Sequence, residues 1–206
     1  MSWPAELGPR LEGRIVVLEP LGAQHKEGLR AAAADPELWR WMAIDASTDK
    51  GFERWWSDAR AQQAAEAEVP FVTILRETGT VIGSTRFVAL RPRDRGFEIG
   101  GTWLMQAAWN TGANKDAKLL QLEHAFERLG CIRVEFKTDA RNERSRRALE
   151  ALPAQFEGIF RKHMVRWYGF RDSAYYSVVD DEWPDVKRAL EAAVGQAKSG
   201  SRSASS

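Results

Sequence analysis

Cysteine is nearly missing from this 206-residue chain: Cys131 is the one thiol, so no internal disulfide can form. Three scattered histidines give no ligand spacing, and no metal is implied. Charge of one sign is equally scarce. Lys+Arg 30 against Asp+Glu 29 leaves +1, which argues against strong nucleic-acid binding and against an anionic membrane surface. No apolar run approaches the ~18 residues of a spanning helix, and MSWPAELGPRLEGR lacks the basic start and apolar stretch of a secretory signal. A cytoplasmic protein is expected. Tryptophan, by contrast, is abundant at nine, with Trp39, Trp41, Trp55 and Trp56 crowded together as a helical core or a substrate wall.

Arg14–Leu21 has the β-branched run of a first strand, and Gln24–Ala34 then turns helical until Asp35-Pro36. Phe52, Trp55, Trp56, Ala59 and Gln63 recur at three-and-four spacing and predict a helix over Phe52–Ala67. Pro70–Arg76 and Val81–Leu90 flank a Gly-containing connection and read as a hairpin, extended by Phe97–Met105. Leu119, Leu122, Phe126 and Leu129 define a helix from Asn114 to Leu129, closed by Gly130. Ile132–Lys137 is strand-like and Asn142–Leu152 helical. Gly158–Arg166 and Ala174–Val179 predict two strands around a Gly169–Asp172 turn, before a closing helix over Glu182–Ala193. Residues 1–194 form one α+β domain in this reading. Nine of the last twelve residues are Gly, Ala or Ser, so 195–206 is expected to be a disordered tail.

The segment TWLMQAAWNTGANKDAK combines a strand end, a loop with Gly112 and a helix start. Free N–H groups of a first helical turn favour anions there, and a glycine lets the backbone approach them. A plain helix start capped by Asn114 explains the same residues without a ligand.

With FEIGGTWLMQAAWNTGANKDAK, LEHAFERLG, RVEFKTD, NERSRRALEAL, EGIFRKH and FRDSAYYSV in order, the chain resembles GNAT-fold N-acetyltransferases of the RimJ/RimL type. The resemblance implies a mixed sheet of about six or seven strands with flanking helices and a splayed, cofactor-binding strand pair. Acetyl-CoA would be the cosubstrate. Its pantetheine would run beside Leu104 and Met105, and its pyrophosphate would sit on Asn110, Thr111, Gly112, Ala113, Asn114 and Lys115. The family loop, Gln/Arg-x-x-Gly-x-Gly/Ala, keeps its central glycine here but has Trp109 and Asn114 at its ends. Asn142 would bond the pantetheine, Arg147 would meet the ribose phosphate, and Ser145 would help protonate the departing thiolate; helix capping also explains Asn142.

Glu98 resembles the carboxylate that many members use as general base. A strand-edge glutamate paired with Arg86 or Arg95 is the bland alternative, and His163 is the alternative base. The resemblance implies direct attack with a backbone N–H near Leu104 or Met105 on the oxyanion, and no nucleophilic role for Cys131. Trp41, Trp55 and His163 fall where the acceptor pocket is expected. The acceptor would be a small-molecule or peptide amine, including a protein N-terminus. Two other readings stay open: a non-catalytic module that senses coenzyme A esters, and a ribosome-associated partner protein. A homodimer could form through the strand pair from Val165 to Val178.

Overall fold

Val16, Val17 and Leu18 are buried on both faces of strand β2 (Val16–Pro20), the pattern of a strand covered by helices on each side. The computed structural model describes residues 7–202, with side chains to 197. Around β2 the elements run β1 (Leu11–Glu12), α1 (Lys26–Ala32), α2 (Asp49–Ala64), β3 (Val69–Leu75), β4 (Val81–Arg91) and β5 (Gly96–Leu104). They continue with α3 (Ala113–Glu123), β6 (Arg133–Asp139), α4 (Glu143–Glu150), β7 (Gln155–Arg166), β8 (Gly169–Val179) and α5 (Trp183–Arg202). One mixed sheet takes the order β1-β2-β3-β4-β5-β6-β8-β7. Its eight strands exceed the expected six or seven because β1, two residues long, has no periodicity of its own. Pairing of Leu11 with Leu18 and Glu12 with Val17 creates it.

The two sheet faces carry separate apolar clusters. Phe71, Phe87, Phe97 and Val134 pack under α3 and α5, whereas Val72 and Trp103 pack with Trp39, Phe52 and Trp55 of the α1–α2 region. Thr48 caps α2 by accepting from Gly51 N–H, and Phe52, Trp55 and Ala59 form the buried face that the sequence spacing predicts. Helix α3 stops at Glu123 and passes into a π-helical turn over His124–Arg128, with Gly130 left-handed after it at φ 63°.

Two boundaries differ from expectation. Gly169–Asp172 lie inside β8, and the turn is Trp167–Tyr168: Trp167 Nε1 donates to Met42 O at 3.2 Å, and Tyr168 Oη donates to Asp139 Oδ2 at 3.0 Å. These tertiary bonds hold the aromatic pair at the hairpin tip. Helix α5 runs to Arg202, past the residue-194 limit, and Val186, Leu190 and Val194 anchor its earlier turns in the core. Residues 203–206 of the expected tail lie outside the described residues.

Candidate active site

The site begins where two parallel strands part. β5 and β6 pair only at Gly96–Arg133, Phe97–Val134 and Glu98–Glu135, after which Ile99–Leu104 of β5 has no partner on that side. A bulge accompanies the parting. On the β4 side Arg86 faces Gly100 and Ser84 faces Trp103, so Gly101 and Thr102 oppose Thr85 alone. Gly101 sits at φ 58°, a conformation that glycine adopts without steric cost. The extra residue bends β5 and turns Thr102 towards α3, where its hydroxyl meets Thr85 Oγ1 at 2.8 Å and Lys118 Nζ at 3.0 Å.

The loop from Met105 to Gly112 crosses the open end of this gap. Asn110 and Gly112 are left-handed, at φ 60° and 87°, and Gly112 occupies the N-cap of α3, not Asn114. The first-turn amides of Ala113, Asn114 and Lys115 thus lead the helix, and Asn114 Oδ1 is buried with no partner. Gly112 Cα faces inward, however. A Cβ there would lie 2.7 Å from Ala197 Cβ and 2.9 Å from Ile15 Cδ1, so packing as well as φ demands the glycine. Two backbone groups expected to hold a cofactor chain are occupied: Leu104 O accepts from Trp109 Nε1 at 2.7 Å, and Met105 N–H donates to Ile82 O at 2.8 Å. The parted edge over Ile99–Trp103, by contrast, has no strand partner on the β6 side.

Helix α4 faces that loop across a cleft of about 390 Å³ lined by Trp41, Trp109, Arg141, Asn142 and Arg144, among others. Asn142 is the N-cap of α4, its Oδ1 accepting from Ser145 N–H at 3.1 Å, so capping claims its oxygen and leaves its amide NH₂ for a ligand. Arg144 lies over the Trp109 ring at 3.6 Å from the centroid. Arg147 instead projects outward, 72% exposed, towards Glu143 at 3.6 Å. Of the arginines in this run, Arg144 is the one facing the loop. A larger cavity of about 810 Å³ adjoins Ala140, Arg141 and the β7–β8 hairpin. The smaller cleft joins the loop to the α4 start, where Arg40, Arg141 and Arg144 line it together with Glu37 and Glu143.

Glu98 stands beside the last β5–β6 pair, 4% exposed, with Oε2 2.8 Å from Lys137 Nζ. Its partner is this lysine, not Arg86 or Arg95. Burial pushes its carboxyl pKa up, against the opposing pull of Lys137. His163 lies on the neighbouring hairpin with Nδ1 3.0 Å from Ser173 Oγ; burial, then Lys137 and Arg171, hold its pKa down. Both candidate bases therefore sit in one basic neighbourhood. Burial raises the Cys131 thiol to about 12, which keeps it protonated and unreactive.

The aromatic wall divides. Trp55 is 4% exposed among Trp39, Phe52 and Trp103, so it is core. Trp41 is only partly buried and meets Tyr168 edge-on at 5.8 Å, with Arg141 over its ring at 5.1 Å. It stands at the mouth of the cleft. Lys137 and Arg171 were not foreseen: each lies on a strand whose alternating pattern is that of any half-buried strand.

Residues 16–155 match the family model described as acetyltransferase (GNAT) domain. A solved GCN5-related N-acetyltransferase from Brucella melitensis is 33% identical, over 92% of this chain and 87% of that chain, with a TM-score of 0.85. A solved protein of T. thermophilus with a provisional acetyltransferase designation is 38% identical, over 93% and 98% of the two chains, at 0.80. Mycobacterium smegmatis RimJ, solved in complex with CoA-disulfide, shares the fold at 21% identity, over 90% and 93%, with a TM-score of 0.75.

Proposed function

Because the chain belongs to the acetyltransferase (GNAT) domain family, we propose that it moves an acetyl group from acetyl-CoA to a primary amine of a small molecule or a protein N-terminus, as a RimJ/RimL-like member. The carrying observation is the parting of β5 from β6 directly after a buried glutamate. Acetyl-CoA supplies the acetyl group as a thioester. The first-turn amides of α3, with Asn110, Thr111 and Lys115 around Gly112, hold its phosphates; Asn142 and the β5 edge hold the pantetheine.

An ammonium has no lone pair, so the acceptor must lose a proton before it attacks. Glu98 takes that proton, directly or through water; a raised carboxyl pKa brings the base nearer to working pH. Lys137 fixes Oε2 and leaves Oε1 with no side-chain partner among the described residues. His163 is the reserve base. Ser145, in the first turn of α4, returns a proton to the leaving thiolate. The reaction needs no covalent enzyme intermediate. No helix among the described residues is long and apolar enough to cross a membrane; a cytoplasmic site of action remains part of this proposal.

A second reading, a module that senses coenzyme A esters without turnover, draws on the Trp109–Leu104 bond that fills part of the expected cofactor contact. Thermal-shift titration with acetyl-CoA and free coenzyme A, followed by thiol release over an amine panel, separates the two. Saturable stabilisation with turnover supports transfer. Stabilisation without turnover favours the sensor, and no stabilisation at millimolar ligand removes both.

A further inference from the structure

Buried or half-buried arginines of this chain generally meet a carboxylate: Arg133 meets Glu135 and Glu157, and Arg86 meets Glu68 and Asp58. Arg171 does not. Its residue is 7% exposed, its guanidinium makes no hydrogen bond or close ion pair with a described side chain, Glu98 and Asp139 acting on it only at longer range, and Nε and Nη2 are both buried without an acceptor. Close by, Arg166 leaves a third buried donor, Nε, unmatched, while its other nitrogens reach Val165 O and Met164 Sδ. The neighbouring carboxylates are committed elsewhere. Asp139 binds Arg141 and Tyr168, and Glu98 binds Lys137. A buried guanidinium with unmet donors is costly unless an anion arrives to pair with it.

Register places this gap on the Glu98 side of the sheet. Glu98 pairs with Glu135, Lys137 with Tyr175 and Asp139 with Ser173. Two-residue alternation then puts Arg171 on the same face as Ser173 and Tyr175, beside His163. Nε and Nη2 form the side edge of the guanidinium fork, whose two parallel N–H vectors match the two oxygens of a carboxylate.

We infer that Arg171, flanked by Arg166, binds a carboxylate of the acceptor, which makes the acceptor an amino-acid-like molecule carrying both a primary amine and a carboxylate. This rests on the acetyl-transfer reading and narrows its substrate class. Glu98 handles the amine and Arg171 orients the other end of the same molecule.

The test compares amines that differ only by the carboxylate: phenylalanine with phenethylamine, leucine with isoamylamine, and lysine with cadaverine. Wild-type protein should favour the carboxylate-bearing member by about 10-fold or more in KM, and Arg171→Met should erase that ratio. Equal KM values in the wild type, or a ratio untouched by Arg171→Met, overturns the assignment. Preference for phosphoethanolamine over β-alanine overturns the carboxylate in favour of a phosphate. A second measurement does not depend on turnover: acetate and benzoate, against chloride at equal ionic strength, should raise the melting temperature of the wild type and not of Arg171→Met. If no amine is acetylated, this carboxylate-specific shift still supports the subsite, whereas its absence overturns it. Arg171→Lys, which keeps the charge and loses the fork, replaces Arg171→Met if the latter does not fold, with the same reduction expected.

Discussion

Lys118 carries an ammonium into the core with no carboxylate beside it: Thr85 Oγ1, Thr102 Oγ1 and Gln121 Oε1 lie 3.0–3.2 Å from Nζ. Burial lowers its pKa from 10.5 to about 7. Between those values the unfolded chain holds a proton that the folded chain has released, so stability rises with pH above 7. Below 7 both states are charged and the burial penalty is fully present. Chemical denaturation from pH 7 to 8.5, below the range where protonated Cys131 reverses the trend, should show stability rising by roughly 1 kcal/mol per pH unit. Lys118→Met should flatten the rise; an unchanged slope would assign the proton elsewhere. At Glu98 the removal of one proton acceptor is expected to matter to chemistry, and it also takes the buried countercharge from Lys137. Glu98→Gln should lower turnover about 100-fold or more and leave stabilisation by coenzyme A intact, and unchanged turnover would move the role to His163 or water.

Helix starts α3 and α4 convert the fold into a site, and they were legible to different degrees. The Gly112 turn and the apolar face of α3 stand in the sequence because turn chemistry and 3.6-residue periodicity are local. The side chains that cross the cleft are not local. Four arginines near Asn142 look alike in sequence, yet packing turns Arg144 onto Trp109 and leaves Arg147 in solvent. Arg144→Ala is therefore expected to weaken coenzyme A binding by about 10-fold, roughly the loss of one charged hydrogen bond to a phosphate, while Arg147→Ala leaves it unchanged. Calorimetric titration of both variants checks this; the reverse ranking would return the phosphate contact to Arg147. Gly112→Val tests the loop differently. Its side chain would meet Ile15 and Ala197, so the melting temperature should fall without ligand as well as the affinity with it.

Across the whole molecule, the α+β class and nearly every element followed from pattern, because apolar periodicity and glycine punctuation fix each one locally. The short β1, the true β7–β8 turn and the extent of α5 did not, since tertiary pairing decides them. Trp55 was misplaced for the same reason: crowded tryptophans announce burial without saying which ring faces a pocket. The sheet ends at β7, whose outer edge has no strand partner. Ile159, Phe160, Val165, Trp167 and Phe170 are exposed on this hairpin, and an unpaired apolar edge suits a second copy. Light scattering should give twice the 23.2 kDa chain mass, and Val165→Lys should return it to one; a wild-type monomer would dismiss the pairing. The central claim is acetyl transfer at the parted strands beside Glu98. It is tested most directly by incubating wild type and Glu98→Gln with acetyl-CoA and amino-acid acceptors, then measuring acetylated product and free thiol together. The account predicts equal amounts of both from the wild type and little of either from the variant. Free thiol without acetylated amine, or equal yields from the two proteins, would contradict it.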